Sequence, residues 1–434
     1  MKVQDIQNML DAYPVIVGID WADKQHDLHV YDTDRQEGQE DTVNNTPGDV
    51  IRWLHELKST FEADRILVCM EDNDTRLYHT LMWHSFVDLV EFNTDTLDHF
   101  RETFTPSGAK NDPTDARLQV ELVLTHPTQF DIVKPNKEST RNLNNLARKR
   151  RNLVDKRGDL ENSLRDELKK YFPQALQLTG SSLHTKMTCA FLQRWGSLQE
   201  LKQTDPQEVR DFYRSFCLGN KQIDKRMELI QQAVPVTDDP AHIQPCKKVV
   251  QGLAGAIAPL TNSIKGFDQE LDEVMDGHED APLWRSFPRA GRQMAPRLLA
   301  AFGDARSRWD RAQEIQEFSG MAPVTEESGE SCYVHWRWMA PSFLMQTFYE
   351  YAEQSRLESG WAKAFYEMKK EEGDEHPTAI RKLGFKWIRI MYRCWMKREK
   401  YSEQRYILAL VQSESPVVEH MDSEVIEQVK KEVA

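Results

Sequence analysis

Val15 to Ile19 is a near-continuous apolar run that ends on Asp20, and Asp27-Leu28-His29-Val30-Tyr31-Asp32 then alternates polar with apolar. The run predicts a buried strand over 15–20, and the alternation predicts its hairpin partner over 27–32. Further strands are predicted over 66–71 and 87–92. Helices are predicted over 47–60, 75–85, 94–104 and 112–125, the first opened by Asn45-Thr46-Pro47, a cap followed by a first-turn proline. Two or three hairpin strands followed by alternating helix and strand give residues 1–134 a mixed α/β sheet with helices on its faces.

Near Pro135 the period changes. Leu143, Leu146, Leu153, Leu160, Leu164, Leu168 and Tyr171 recur at three-, four- and seven-residue steps. The seven-residue spacing of Leu146, Leu153 and Leu160 predicts a long coiled-coil helix that ends at Pro173. Residues 175–240 read as an insertion of two or three short helices. Residues 246–276 read as a return helix, apolar at Val250, Ile257, Ile264 and Leu271 among others. The out-and-back pair makes a helical stalk over 135–280. Residues 281–410 form a mostly α-helical third unit, which holds most of the tryptophans. Residues 411–434 read as a mobile acidic tail with a short amphipathic helix near its end.

Composition narrows this picture. The chain has 434 residues, a mean hydropathy of -0.67 and no apolar run long enough for a transmembrane helix. No basic segment leading into an apolar one marks a secretory signal. Six dispersed cysteines without a CxxC fit a reducing cytoplasm and argue against a zinc knuckle. The net charge of -14 counts against nucleic-acid binding until the basic residues are located. Residues 141–157 hold seven Lys/Arg against one acid, among them Arg148, Lys149, Arg150 and Arg151. Residues 381–405 hold nine against two, with Arg381, Lys386, Arg389 and Arg393 at helical spacing. Such one-sign stripes suit phosphate backbones. In Cys332-Tyr333-Val334-His335-Trp336-Arg337-Trp338, aromatics interleave with His335 and Arg337. That pattern suits base stacking, and equally an amphipathic strand.

The chemistry-bearing candidates are acids. Asp20 and Glu71 end predicted strands, and Asp112 and Asp115 lie three apart at a predicted helix start, on one face. Each alone can be a strand-end acid or a helix-cap acid. Together they repel unless a divalent cation holds them. Mg2+ (or Mn2+) takes oxygen ligands, leaves room for phosphate oxygens and supports phosphodiester chemistry. Asp23, Asp27, Asp72 and Asp74 lie close by in sequence. Ser328-Gly329 can present an exposed nucleophile, but read locally it is an ordinary turn.

Gly18-Ile19-Asp20, Met70-Glu71 and Lys110-Asn111-Asp112-Pro113-Thr114-Asp115-Ala116 together resemble the N-terminal motifs of the insertion-sequence transposases of the "one-ten" family. Phe287-Pro288-Arg289-Ala290-Gly291, Gly320-Met321-Ala322-Pro323 and Glu327-Ser328-Gly329 resemble their C-terminal ones. The resemblance spans about residues 14–405. It implies a RuvC-like (RNase H-like) domain whose acids Asp20, Glu71, Asp112 and Asp115 bind Mg2+. It also implies a coiled coil and a C-terminal transposase domain with Ser328 as nucleophile. The implied activity is RNA-guided recombination through a covalent phosphoserine. A bridge-type guide RNA selects target and donor DNA, and a homodimer pairs into a tetramer. The implied setting is a prokaryotic cytoplasm, nucleoid-associated when acting. Two other readings stay open: a metal-dependent resolvase in which Ser328 is only a turn, and an inactive RNA- or DNA-binding regulator.

Overall fold

The computed structural model describes residues 12–71, 76–92, 97, 100–101, 112–126, 132–133, 136–328, 331–335, 337 and 340–433. The chain divides into two compact units, 1–135 and 136–434.

In the first unit, β1 (Val15–Asp20), β2 (Gln25–Asp32) and β3 (Glu37–Asn44) form an antiparallel meander. Helix α1 (Pro47–Thr60) leads to β4 (Ile66–Glu71), and α2 (Arg76–Met82) leads to β5 (Val87–Phe92). β4 pairs parallel with β1 and β5 parallel with β4, giving the sheet order β3-β2-β1-β4-β5 among the described residues. Thr46 caps α1 through the Asp49 amide, with Pro47 in its first turn. Helix α3 (Asp112–Thr125) follows. Most of the helix expected over 94–104 lies outside the described residues. β3 has no counterpart in the sequence reading, because seven of its eight residues are exposed and it carries almost no apolar signal.

The sheet has two apolar faces. Val15, Val17, Ile19, Val68 and Met70 pack with Trp53 and Leu54 of α1 and Leu77 and Leu81 of α2. Ile16, Leu67 and Cys69 pack with Val120, Leu122 and Val123 of α3.

In the second unit, α4 (Glu138–Tyr171) is followed by α5 (Gln174–Thr179), α6 (Lys186–Arg194), α7 (Leu198–Gln203), α8 (Pro206–Ser215) and α9 (Asn220–Gln232). α10 (Pro240–Asp276) returns along α4. The direction is antiparallel: Thr140 meets His278 and Arg150 meets Asp268. On α10 the buried positions Ile243, Val250, Ile257, Ile264 and Leu271 repeat every seven residues.

On α4 the buried line is Thr140, Leu143, Ala147, Arg150, Leu164, Leu168 and Tyr171. The line expected through Leu146, Leu153 and Leu160 is off by one residue, and those three leucines are half-buried. Polar residues disguise the register. Arg150 occupies a seam position and pairs with Asp268 across the helices at 2.6 Å. Arg157, one heptad on, pairs with Glu161 on its own helix.

At one end the helix pair enters a core with Phe191, Trp195, Phe212 and Tyr213. At the other it enters a larger core built on Trp284, Trp361, Trp387 and Trp395. That core gathers α11 (Ala281–Trp284), α12 (Met294–Phe302), α13 (Ala312–Phe318), α14 (Ser342–Ser355), α15 (Gly360–Glu371), α16 (His376–Lys397) and α17 (Glu403–Gln412). A hairpin of β6 (Val324–Ser328) and β7 (Ser331–His335) stands between α13 and α14 in sequence.

The segment expected to trail as a mobile tail is packed. A 3-10 turn (Pro416–His420) and α18 (Ser423–Val433) put Val417 and Val429 into the tryptophan core. The Nε2 of His420 meets Glu371 at 3.1 Å. The acids on its outer face concealed those two apolar anchors.

Candidate functional site

Register places the first two acids. Ile19 pairs with Met70 across the parallel β1–β4 ladder, so Asp20 and Glu71 lie side by side at its C-terminal end. Neighbouring strands run about 4.8 Å apart. Side chains alternate between faces along a strand. Ile19 and Met70 face α1 and α2, whereas Ile16, Leu67 and Cys69 face α3. Asp20 and Glu71 therefore belong to the α3 face, and both are half-exposed.

α3 lies close over that face. A Cβ on Gly18 would meet the Ala116 carbonyl oxygen at 1.9 Å, so only glycine permits the approach. Gln119 then grips the strand. Its Oε1 accepts from the Ile19 amide at 2.9 Å, and its Nε2 donates to the Ile19 carbonyl at 3.1 Å. Asp115 lies one turn earlier on α3, and Asp112 opens the helix. The side chain of Asp112 lies outside the described residues. The helix start is thus brought to the sheet end that carries Asp20 and Glu71.

The loop after Asp20 is tied down as well. The Ala22 amide donates to Nδ1 of buried His26 at 3.1 Å, and Nδ2 of Asn45 donates to the Ala22 carbonyl at 2.9 Å. Burial lowers the His26 pKa, which keeps Nδ1 available as an acceptor. Burial also raises the Cys69 thiol, which stays neutral two residues before Glu71.

Asp115 is buried, and its Oδ1 accepts from Nε of Arg101 at 2.9 Å and from Nη2 at 2.7 Å. Sequence reasoning missed both Arg101 and Gln119. Gln119 showed only as an amide in a largely apolar helical stretch, and Arg101, among Asp98, His99 and Glu102, gave no signal at all. The donor set is hard oxygen, as Mg2+ requires, and Asp20 and Glu71 are suitably placed. Among the described residues, however, no group of three such side chains converges to hold a metal ion.

Ser328 belongs to the other unit. Its backbone pairs with Ser331, so it stands at the turn end of the β6–β7 hairpin. Gly320, at a φ of 71°, and buried Met321 anchor the approach to that hairpin. Tyr333 and Val334 point to opposite faces of β7, yet they are 60% and 65% exposed. The hairpin therefore buries neither face at these positions, and the amphipathic-strand alternative loses its buried side. Arg337 is half-buried, and Trp336 and Trp338 lie outside the described residues.

The basic candidates separate. Arg150 is committed to Asp268, and Arg151 bonds Asp155 and Glu350, so both serve packing rather than a free surface. Arg148 lies over the Phe343 ring at 5.4 Å, and Lys149 is exposed. On α16, Arg389 and Arg393 are exposed one turn apart, and Arg381 is half-buried. Lys386 rests over the Phe365 ring at 4.9 Å; burial, then Lys369 and Arg389, lower its pKa.

Comparison with known proteins adds an independent line. Residues 17–173 match a family model described as a transposase, that of the DEDD transposases of the IS110 family. Residues 281–367 match the model of the transposase IS116/IS110/IS902 family. A protein of Streptomyces coelicolor assigned as the mini-circle transposase for IS117 is 25% identical over 422 residues, covering 93% of this chain and 99% of its own length. A Sinorhizobium fredii protein assigned as transposase y4uE is 29% identical over 175 residues, covering 40% of this chain and 48% of its own length.

Proposed function

We propose that this chain, which carries IS110-family transposase domains in both its N-terminal and its C-terminal parts, is an RNA-guided DNA recombinase that moves an insertion sequence. The observation that carries the reading is the register that sets Asp20 beside Glu71 just past the Ile19–Met70 pair, on the face that the start of α3 covers. On this reading the first unit is RuvC-like (RNase H-like). Asp20 and Glu71, with Asp112 and Asp115 from α3, would hold Mg2+ or Mn2+. A divalent ion bound there supplies charge neutralisation for a scissile phosphate.

The chain's own groups do the rest. Ser328 attacks the phosphorus: its Oγ–H proton is lost as the Oγ–P bond forms, the P–O bond to the sugar breaks, and the departing oxygen takes up a proton, so the proton count is unchanged. The hairpin suits this role, because Ser328 stands at its turn end and Tyr333 and Val334 further along β7 are exposed. A covalent phosphoserine conserves the bond energy, and reversal of the attack on a new partner rejoins DNA. The exposed face of α16, with Arg389 and Arg393, and Arg148, Lys149 and Arg337 track phosphate backbones. Base pairing by a bridge-type guide RNA chooses target and donor DNA. The helix pair acts as a coiled-coil stalk in a homodimer that pairs into a tetramer. The protein works in the cytoplasm at the nucleoid. Among the described residues no helix is long and apolar enough to cross a membrane.

The test is strand cleavage of matching DNA by the full chain with its RNA and Mg2+. Asp20→Asn and Glu71→Gln should each abolish cleavage and leave nucleic-acid binding intact. Undiminished cleavage in either variant would contradict the assignment.

A further inference from the structure

Arg101 is the group that the proposed chemistry leaves unexplained. It is 6% exposed and Asp115 is 5% exposed. Two guanidinium N–H groups converge on a single carboxylate oxygen of Asp115. Burying such a pair removes two charges from water, and apolar side chains of similar volume are often as stable or more so. The guanidinium cannot shed its charge by deprotonating. Asp115 therefore has a permanent internal counter-cation.

Asp115 is also fixed in place by its own helix. Gln119, one turn on, clamps the Ile19 backbone immediately before Asp20. The carboxylate cannot drift far from the sheet end that carries Asp20 and Glu71. The Oδ1 that Arg101 holds is open to a divalent cation at that end only if the Arg101 contact is loosened.

We propose that Arg101 is a positioning residue that competes with the divalent cation for Asp115, holding the acid cluster closed until a cation displaces it. The inference rests on the reading of Asp20, Glu71, Asp112 and Asp115 as the cation site. It explains why no three of the described acids converge. With Asp115 neutralised from within, the cluster avoids the mutual repulsion that would otherwise destabilise the empty site. The competition lowers cation affinity by the same factor by which the cation loosens the Arg101 contact, because coupling is reciprocal. A plain structural tie between residue 101 and α3 predicts no such exchange.

The experiment is Mn2+ binding to the full-length protein, read by electron paramagnetic resonance, with thermal melting run with and without Mn2+. Asp20→Asn serves as the site control. Arg101→Gln should bind Mn2+ on the order of tenfold more tightly than the parent. It should also melt lower without the ion and gain a larger upward shift on adding it. Arg101→Lys keeps a positive charge and the fold but loses the two-point hold, so it should move affinity in the same direction by less. Equal or weaker Mn2+ binding in both Arg101 variants, with parent binding intact and lost in Asp20→Asn, overturns the competition alone. No Mn2+ binding by the parent, or binding indifferent to Asp20→Asn, overturns the cation site itself.

Discussion

At the scale of single residues, the site is held by close contacts between α3 and β1. Gly18→Ala forces a methyl group into the Ala116 carbonyl, and α3 must move to accommodate it. Overpacking of this kind typically costs about 1–3 kcal/mol. Hydrogen exchange of β1 amides in the full chain should accelerate, while exchange in residues 136–434 stays as in the parent. Gln119→Leu removes two hydrogen bonds to the buried Ile19 backbone, at roughly 0.5–1.5 kcal/mol each. The same exchange measurement reads it at Ile19. The acids at the strand ends were legible, because an apolar run that stops on a carboxylate is a local pattern. Gln119 and Arg101 were not. Their partners are a backbone 100 residues away and an acid 14 residues away, and sequence spacing does not report such contacts.

At the scale of elements, the long helix pair divides polar seam residues from true surface. Arg150→Met should destabilise the full chain by roughly 3–5 kcal/mol at most, because it strands Asp268, while nucleic-acid affinity changes little. Arg393→Gln should do the reverse. Stability should hold, and the slope of log affinity against log salt should shrink by about one unit. Filter binding across a salt series separates the two. The base of the pair carries a buried histidine whose protonation is expected to make stability depend on pH. Buried His278 meets Thr140 through Nε2 at 2.9 Å and accepts from the Asp280 amide through Nδ1 at 3.1 Å. Burial lowers its pKa below 6.5. The folded protein therefore binds this proton less readily than the unfolded chain. Its contribution is complete above about 6.5 and is lost as pH falls through that value toward the lower folded one. Calorimetry at pH 7.5 and 5.5 should show a smaller fall in melting temperature for His278→Gln than for the parent. The helices were legible from their period, but the seam register was not, because Arg150 and Arg157 stand where leucines would announce it. β3 and the packed C-terminal segment escaped for a related reason. Exposed residues dominate β3, and the C-terminal segment is held by only a few apolar anchors, Val417 and Val429 among them.

At the scale of the whole molecule, the acids and the serine lie in different units; one family model covers the acids and runs on through α4, and the other covers the serine. The order of motifs along the chain was legible because each motif is short and local. Cooperation between the two units, which the proposed reaction requires, is not written in local sequence. The proposed reaction draws on both sets of groups. The most direct measurement mixes the full chain with matching labelled DNA, guide RNA and Mg2+, denatures the mixture and looks for label covalently attached to protein. An adduct mapped to Ser328 is expected, absent in Ser328→Ala, in Asp20→Asn and after chelation. An adduct that survives Ser328→Ala, or freely nicked DNA with no adduct at all, would contradict the proposed reaction.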